Sequence, residues 1–188
     1  TAIGYQSQAN ANPTTTAFTN TNVSVGYQSL RGSATPANNT GLNNTAIGHQ
    51  AMLSNTSGNN NTAVGQAALQ NNTIGGTNTA LGRDALYTNT EGSENVAVGN
   101  SALGDNTEGN YNTAIGRDAL RDNTTGDYNA AIGKNALQKN ATGEQNTALG
   151  QASLLSNIEG DFNTAVGSGA LFSNTGDSNT AIGMSALY

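Results

Sequence analysis

The stretch N-T-A-I-G-R-D-A-L-R-D-N-T-T-G-D-Y-N-A-A-I-G-K-N-A-L, residues 112–137, writes one pattern and then rewrites it seventeen residues later. The glycine of its T-A-I-G core recurs at Gly4, Gly26, Gly48, Gly65, Gly82, Gly99, Gly116, Gly133, Gly150, Gly167 and Gly183. The intervals are 22, 22, seven of 17, and finally 16. Fixed periodicity of this kind marks a repeat architecture and takes precedence over composition. The two long intervals hold Q-A-N-A-N-P-T-T-T-A-F-T-N-T-N and R-G-S-A-T-P-A-N-N, each with one of the two prolines, and read as loop insertions on a fixed frame. The chain therefore divides into irregular coils over 1–47 and regular coils over 48–188, within one repeat domain spanning 1–188.

Each column of the repeat has a character. The residue before the glycine is always Ile, Val or Leu; before it stands Ala, with Ser24 the one exception, and before that mostly Thr. Alternate residues of a strand share a face, so this segment reads as a strand with Thr and the aliphatic on one side, Ala and Gly on the other. The aliphatic column Ile47, Val64, Leu81, Val98, Ile115, Ile132, Leu149, Val166 and Ile182 is assigned to the core. Four residues after the glycine comes Leu, as in Leu86, Leu103, Leu120 and Leu137, which is expected to lie in a second, shorter strand and in the core. An Asn seven residues after the glycine, followed by Gly, is expected to form a turn in which Asn takes positive φ.

A seventeen-residue unit cannot bury its apolar rows alone, whereas stacked units can. Helical repeats need longer units, and each helical Gly costs about 1 kcal/mol. The predicted fold is all-β, a parallel β-roll or narrow β-solenoid of about eleven coils, on the order of 50 Å long with strands ~4.8 Å apart.

Units such as N-T-A-I-G-R-D-A-L and N-T-A-V-G-Q-A-A-L resemble the head repeats of YadA-like trimeric autotransporter adhesins, and also N-T-A-I-G repeats of phage tail fibres. The resemblance extends over essentially the whole chain and implies a trimeric β-roll at a cell or virion surface. The period of 17 is longer than the adhesin unit, and no stalk or anchor sequence is present. Independently, a strand with two small or apolar faces on a thin roll is expected to meet another chain, with the Ala and Gly face as the closer approach.

Composition limits the alternatives. Only 35% of residues are hydrophobic, Trp and Cys are absent, and the net charge is -6 with six Lys and Arg. A clustered basic footprint for nucleic acid is missing, as is any disulfide or thiolate site. No apolar run reaches the ~20 residues of a membrane span. The chain starts without Met or a signal sequence, so it reads as a mature or excised piece. Its end coils are expected to be covered by a further domain or by the next subunit of an end-to-end filament.

His49 is the only histidine, so no histidine triad or cluster can form within one chain. It shares a tolerant column with Tyr5, Tyr27, Gln66 and Arg83 and reads as surface. Acids at Glu91, Glu94, Glu108, Asp127, Glu144, Glu159, Asp161 and Asp177 drift along the turns instead of holding the fixed offsets that calcium or glycoside hydrolysis requires. Arg83/Asp84, Arg117/Asp118 and Arg121/Asp122 read as surface ion pairs. The sequons at Asn22, Asn38, Asn43, Asn55, Asn60, Asn71, Asn123 and Asn140 are those an Asn- and Thr-rich repeat generates by chance. The neutral N-terminal part, with Tyr5, Phe18 and Tyr27, is the candidate contact for carbohydrate.

The resulting expectation is a structural, non-enzymatic rod without cofactor or metal, partnered by copies of itself as a homotrimer or filament, and by a cell-surface glycan or matrix. Its setting is extracellular, on a cell or virion surface. The weighed alternatives are a glycan-directed tailspike and an ice binder; the latter needs two Thr per rung where this repeat supplies one.

Overall fold

The computed structural model of the chain describes residues 1–11 and 20–188. Eleven short parallel strands form one sheet in sequence order: β1 (Ala2–Ile3), β2 (Val23–Val25), β3 (Thr45–Ile47), β4 (Thr62–Val64), β5 (Thr79–Leu81), β6 (Val96–Val98), β7 (Thr113–Ile115), β8 (Ala130–Ile132), β9 (Thr147–Leu149), β10 (Thr164–Val166) and β11 (Thr180–Ile182). Each strand pairs in register with the next, Thr45 with Thr62, Ala46 with Ala63 and Ile47 with Val64. The fold is a β-solenoid with one strand per repeat and a period near 17 residues. The 22-residue coils keep the same register, so their extra residues leave the frame intact; 36–38 form a single 3-10 turn within one of them.

Two local expectations are corrected. The A-x-L segment is not a second strand. Residues two and four after the repeat glycine take positive φ, as at Asp84 (56°) and Leu86 (51°), so the chain curls instead of extending. Its amides still bridge coils: Leu86 N–H donates to Ala102 O and Leu103 N–H to Ala119 O, both at 3.0 Å. The Asn of the Asn-to-Gly turn does not take positive φ either. Its amide turns inward, where Asn89 Nδ2 donates to Gly92 O at 2.9 Å and to Asn72 Oδ1 of the preceding coil at 2.8 Å.

The interior is narrow. In the regular coils before the last it holds the strand Ala, a second Ala three residues after the glycine (Ser153 in one coil), and the Leu or Met that follows, all essentially inaccessible to solvent, whereas Leu187 of the last coil is exposed. Leu86, Leu103, Leu120 and Leu137 are buried as expected. The aliphatic strand column is not. Ile47, Val64, Ile115, Ile132, Leu149 and Ile182 are exposed, Ile115 by 39%, while Leu81, Val98 and Val166 are half-buried. The core assignment of that column is corrected by geometry: strand faces alternate, and a roll this thin has room only for the Ala side.

Polar groups complete the interior. Asn44, Asn61, Asn78, Asn95, Asn112, Asn129, Asn146 and Asn163, four residues before the glycine, are buried in a file. Asn95 Oδ1 accepts the backbone N–H of Asn112 at 2.9 Å, and Asn95 Nδ2 donates to Gly109 O at 2.8 Å. The turn asparagines form a second file. Buried amides are tolerated because these bonds satisfy them, and each link ties one coil to the next.

Candidate functional site

What the rod offers a partner follows from which columns face out. The outer face of the sheet carries Thr, Val or Ala and then Ile, Val or Leu in every rung, without a charged side chain from β1 to β11. With strands ~4.8 Å apart, ten intervals make a stripe of about 48 Å. The strand Ala column is interior, so the face expected to approach a neighbour is not on the surface.

The glycine ending each strand before the last is required twice over. Gly116 has φ of 133°, and a Cβ there would lie 2.6 Å from Gly133 O of the next coil. The turn glycines serve by closeness alone: a Cβ on Gly92 would lie 2.4 Å from Asn89 Oδ1 and 2.5 Å from Gly109 O.

At the N-terminal end, Tyr5, Tyr27 and His49 occupy one outward column and stack, with ring centroids 5.5 and 5.1 Å apart. Two of the three candidate contacts are thus brought together, and His49 joins them; Phe18 lies outside the described residues. A second stack, Tyr111 on Tyr128 at 4.8 Å, stands in the column five residues before the glycine. There the negative charge of Glu94 pushes the Tyr111 phenol above its ordinary pKa.

The acids do not converge. Asp127 Oδ1 accepts the Asn110 N–H at 2.6 Å, Asp161 Oδ1 the Glu144 N–H at 2.8 Å, and Asp177 Oδ1 the Asp161 N–H at 2.9 Å, each linking successive turns. These three carboxylates serve as turn caps, a role the sequence analysis did not assign to them. Among the described residues no group of three His, Cys, Asp or Glu could hold a metal ion. The ion pairs Arg83–Asp84 and Arg117–Asp118, at 3.2 Å, and Arg121–Asp122, at 2.6 Å, form within their own coils. Of the sequon asparagines, Asn22, Asn55, Asn123 and Asn140 are buried, where a glycan has no room.

The buried Asn file four residues before the glycine was missed by sequence reasoning. The available signal was that every unit from Asn22 to Asn179 carries Asn there, an identity that surface polarity alone does not require.

No family model matches the chain, and neither a curated protein nor a solved structure matches it.

Proposed function

We propose that this chain is a structural, non-enzymatic rod segment of an extracellular surface fibre or adhesin, and that it works as a homotrimer. The observation that carries this reading is the charge-free aliphatic and Thr stripe running the length of the sheet's outer face. A lone thin rod that left such a stripe in water would lose the stabilisation of burial, about 25 cal/mol per Å² of apolar surface. Three copies around a common axis cover all three stripes at once and close the assembly. The resemblance of the repeat units to adhesin heads supports both the trimer and the surface setting. In this arrangement the columns away from the strand remain free to meet a cell-surface glycan or matrix, with the Tyr5–Tyr27 stack as one contact. Mass in solution by sedimentation equilibrium tests the reading: three times 18.9 kDa is expected. A chain that stays monomeric at tens of micromolar, with the stripe accessible, overturns it.

A further inference from the structure

The column five residues after the repeat glycine contains one gap. Through the regular coils it carries Leu53, Gln70, Tyr87, Arg121, Gln138, Leu155, Phe172 and Tyr188, all large, and between Tyr87 and Arg121 it carries Gly104. Backbone conformation does not demand this glycine. Its φ lies outside the left-handed region, unlike that of the repeat glycines. A Cβ there would sit 3.5 Å from the Arg121 Cγ, ordinary contact, and 3.3 Å from the Ser101 carbonyl oxygen, a snug one. The repeat glycines from Gly4 to Gly167, by contrast, would drive a Cβ to within 2.3–2.6 Å of backbone.

The geometry of the column shows what the gap creates. Phe172 and Tyr188, consecutive members, stack with centroids 4.9 Å apart and planes 18° apart, so flat side chains here lie face to face along the axis. Tyr87 and Arg121 are two rungs apart, and Gly104 places no side chain between them; the Arg121 Cγ leans toward the gap, 3.5 Å from where a Gly104 Cβ would stand, and Gly104 itself is buried beneath. A saturated ring lying against the Tyr87 face at the mouth of this gap would make contacts at ~3.5–4 Å. The slot is a recess of about 350 Å³ lined by Tyr87, Gly104, Arg121, Asp84, Asp105 and Ser101. That volume lies in the ~300–1,000 Å³ range of small-molecule sites.

We propose that this slot binds a neutral hexopyranose unit of a glycan. The sugar ring lies against the Tyr87 face at the mouth of the gap, beside the Arg121 side chain, its hydroxyls donating to Asp84 and Asp105. The rim chemistry selects this class. Carboxylates at the rim accept hydrogen bonds and would be desolvated without return by a purely aromatic guest. A phosphorylated or otherwise anionic guest meets two carboxylates and a chain of net charge -6. The floor is preorganised: Thr88 Oγ1 lies 3.0 Å from both Gly104 O and Asn106 O and shares its one proton between them, and Asp105 N–H donates to Arg121 O at 2.8 Å. Arg121 is held from the side by Asp122. The proposal rests on the glycan-contact part of the reading above and is independent of trimer formation, because the slot is built from columns other than the strand.

The test is titration of the folded, isotopically labelled chain with methyl glycosides of glucose, galactose, mannose and N-acetylglucosamine, with phenol as aromatic control, followed by amide chemical shifts. At least one glycoside is expected to move the amides of Tyr87, Ser101, Gly104, Asp105 and Arg121. Tyr87→Ala should weaken that binding by about tenfold. Gly104→Leu, the residue this column carries at Leu53 and Leu155, should abolish it without lowering the melting temperature. Shifts confined to Tyr5 and Tyr27 would overturn the slot while sparing the broader glycan reading, and no shift anywhere up to tens of millimolar would overturn both. Binding that survives Gly104→Leu, or phenol preferred over every glycoside, would also overturn the slot.

Discussion

Two aliphatic columns run the length of this rod, and the fold treats them oppositely. The column before the repeat glycine, from Ile47 to Ile182, lies on the outside of the sheet, while the column four residues after it, from Met52 through Leu171, is sealed inside. Their hydrophobicity is similar; their backbones are not. The outer column is extended strand, which suits Ile and Val. The inner column has φ near 50°, where β-branched side chains are outliers, and it holds Leu, Met or Gln but never Ile or Val. An aliphatic row therefore does not announce by its apolarity alone which side of a thin wall it occupies.

The largest effect that would break this contrast comes from the same substitution in each column. Leu120→Asp should place an unpaired carboxylate in the sealed interior, where it also leaves a cavity, and cost about 5 kcal/mol or more. Ile115→Asp should leave the coil folded. Equal losses of melting temperature in the two variants would refute the assignment of faces.

Next come the backbone and amide positions that set the wall's thickness. Gly116→Ala forces a Cβ against Gly133 O at an already left-handed position and is expected to cost roughly 3 kcal/mol. Asn95→Ala would orphan the Asn112 N–H, at about 1–3 kcal/mol for a buried group left unpaired, while the Gly109 carbonyl keeps its bond from Asn106 Nδ2. Gly104→Ala, at a glycine that geometry does not require, should fall within about 0.5 kcal/mol of the parent. Denaturant titration ranks all three. A Gly104 variant as damaging as the Gly116 one would mean the slot is a structural necessity.

A subtler measurement sharpens the outer face. Ile115→Lys combined with Ile132→Lys should convert the assembly to monomers in sedimentation, while the circular dichroism of the single chain keeps its shape. Persistence of the same mass would show that the stripe is not the contact.

The smallest expected effect is at the slot rim. Burial, and after it the charge of Asp122, raises the Asp105 carboxyl above its ordinary pKa, against the pull of Arg121. The folded chain then holds this proton more tightly than the unfolded one, so the ionised carboxylate weakens the fold as pH rises through the folded pKa. Asp105→Asn should be the more stable protein at neutral pH by no more than about 0.5 kcal/mol, given how exposed the group is. The gap should close below about pH 4, where both states are protonated. A gap that widened in acid would reverse the sign assigned here.

The sequence by itself determined the period, the strand at each T-A-[I/V/L]-G, the parallel in-register stacking and the burial of the Leu column. All of these follow from one spacing repeated, since a unit too short to bury its own apolar row has to stack on its neighbours. Even the inner column's restriction to Leu, Met and Gln was written there, although its meaning needs the positive φ that only coordinates reveal. Tertiary structure alone decided which strand face is inside, because the answer depends on the width of the roll, and that width is set by Gly against Gly contacts between coils and by two files of buried Asn. It likewise decided that Asn and Asp at the turns are ties between coils and that Gly104 opens a slot. These facts concern residues seventeen apart meeting edge to edge, a relation that column chemistry permits and only packing makes specific.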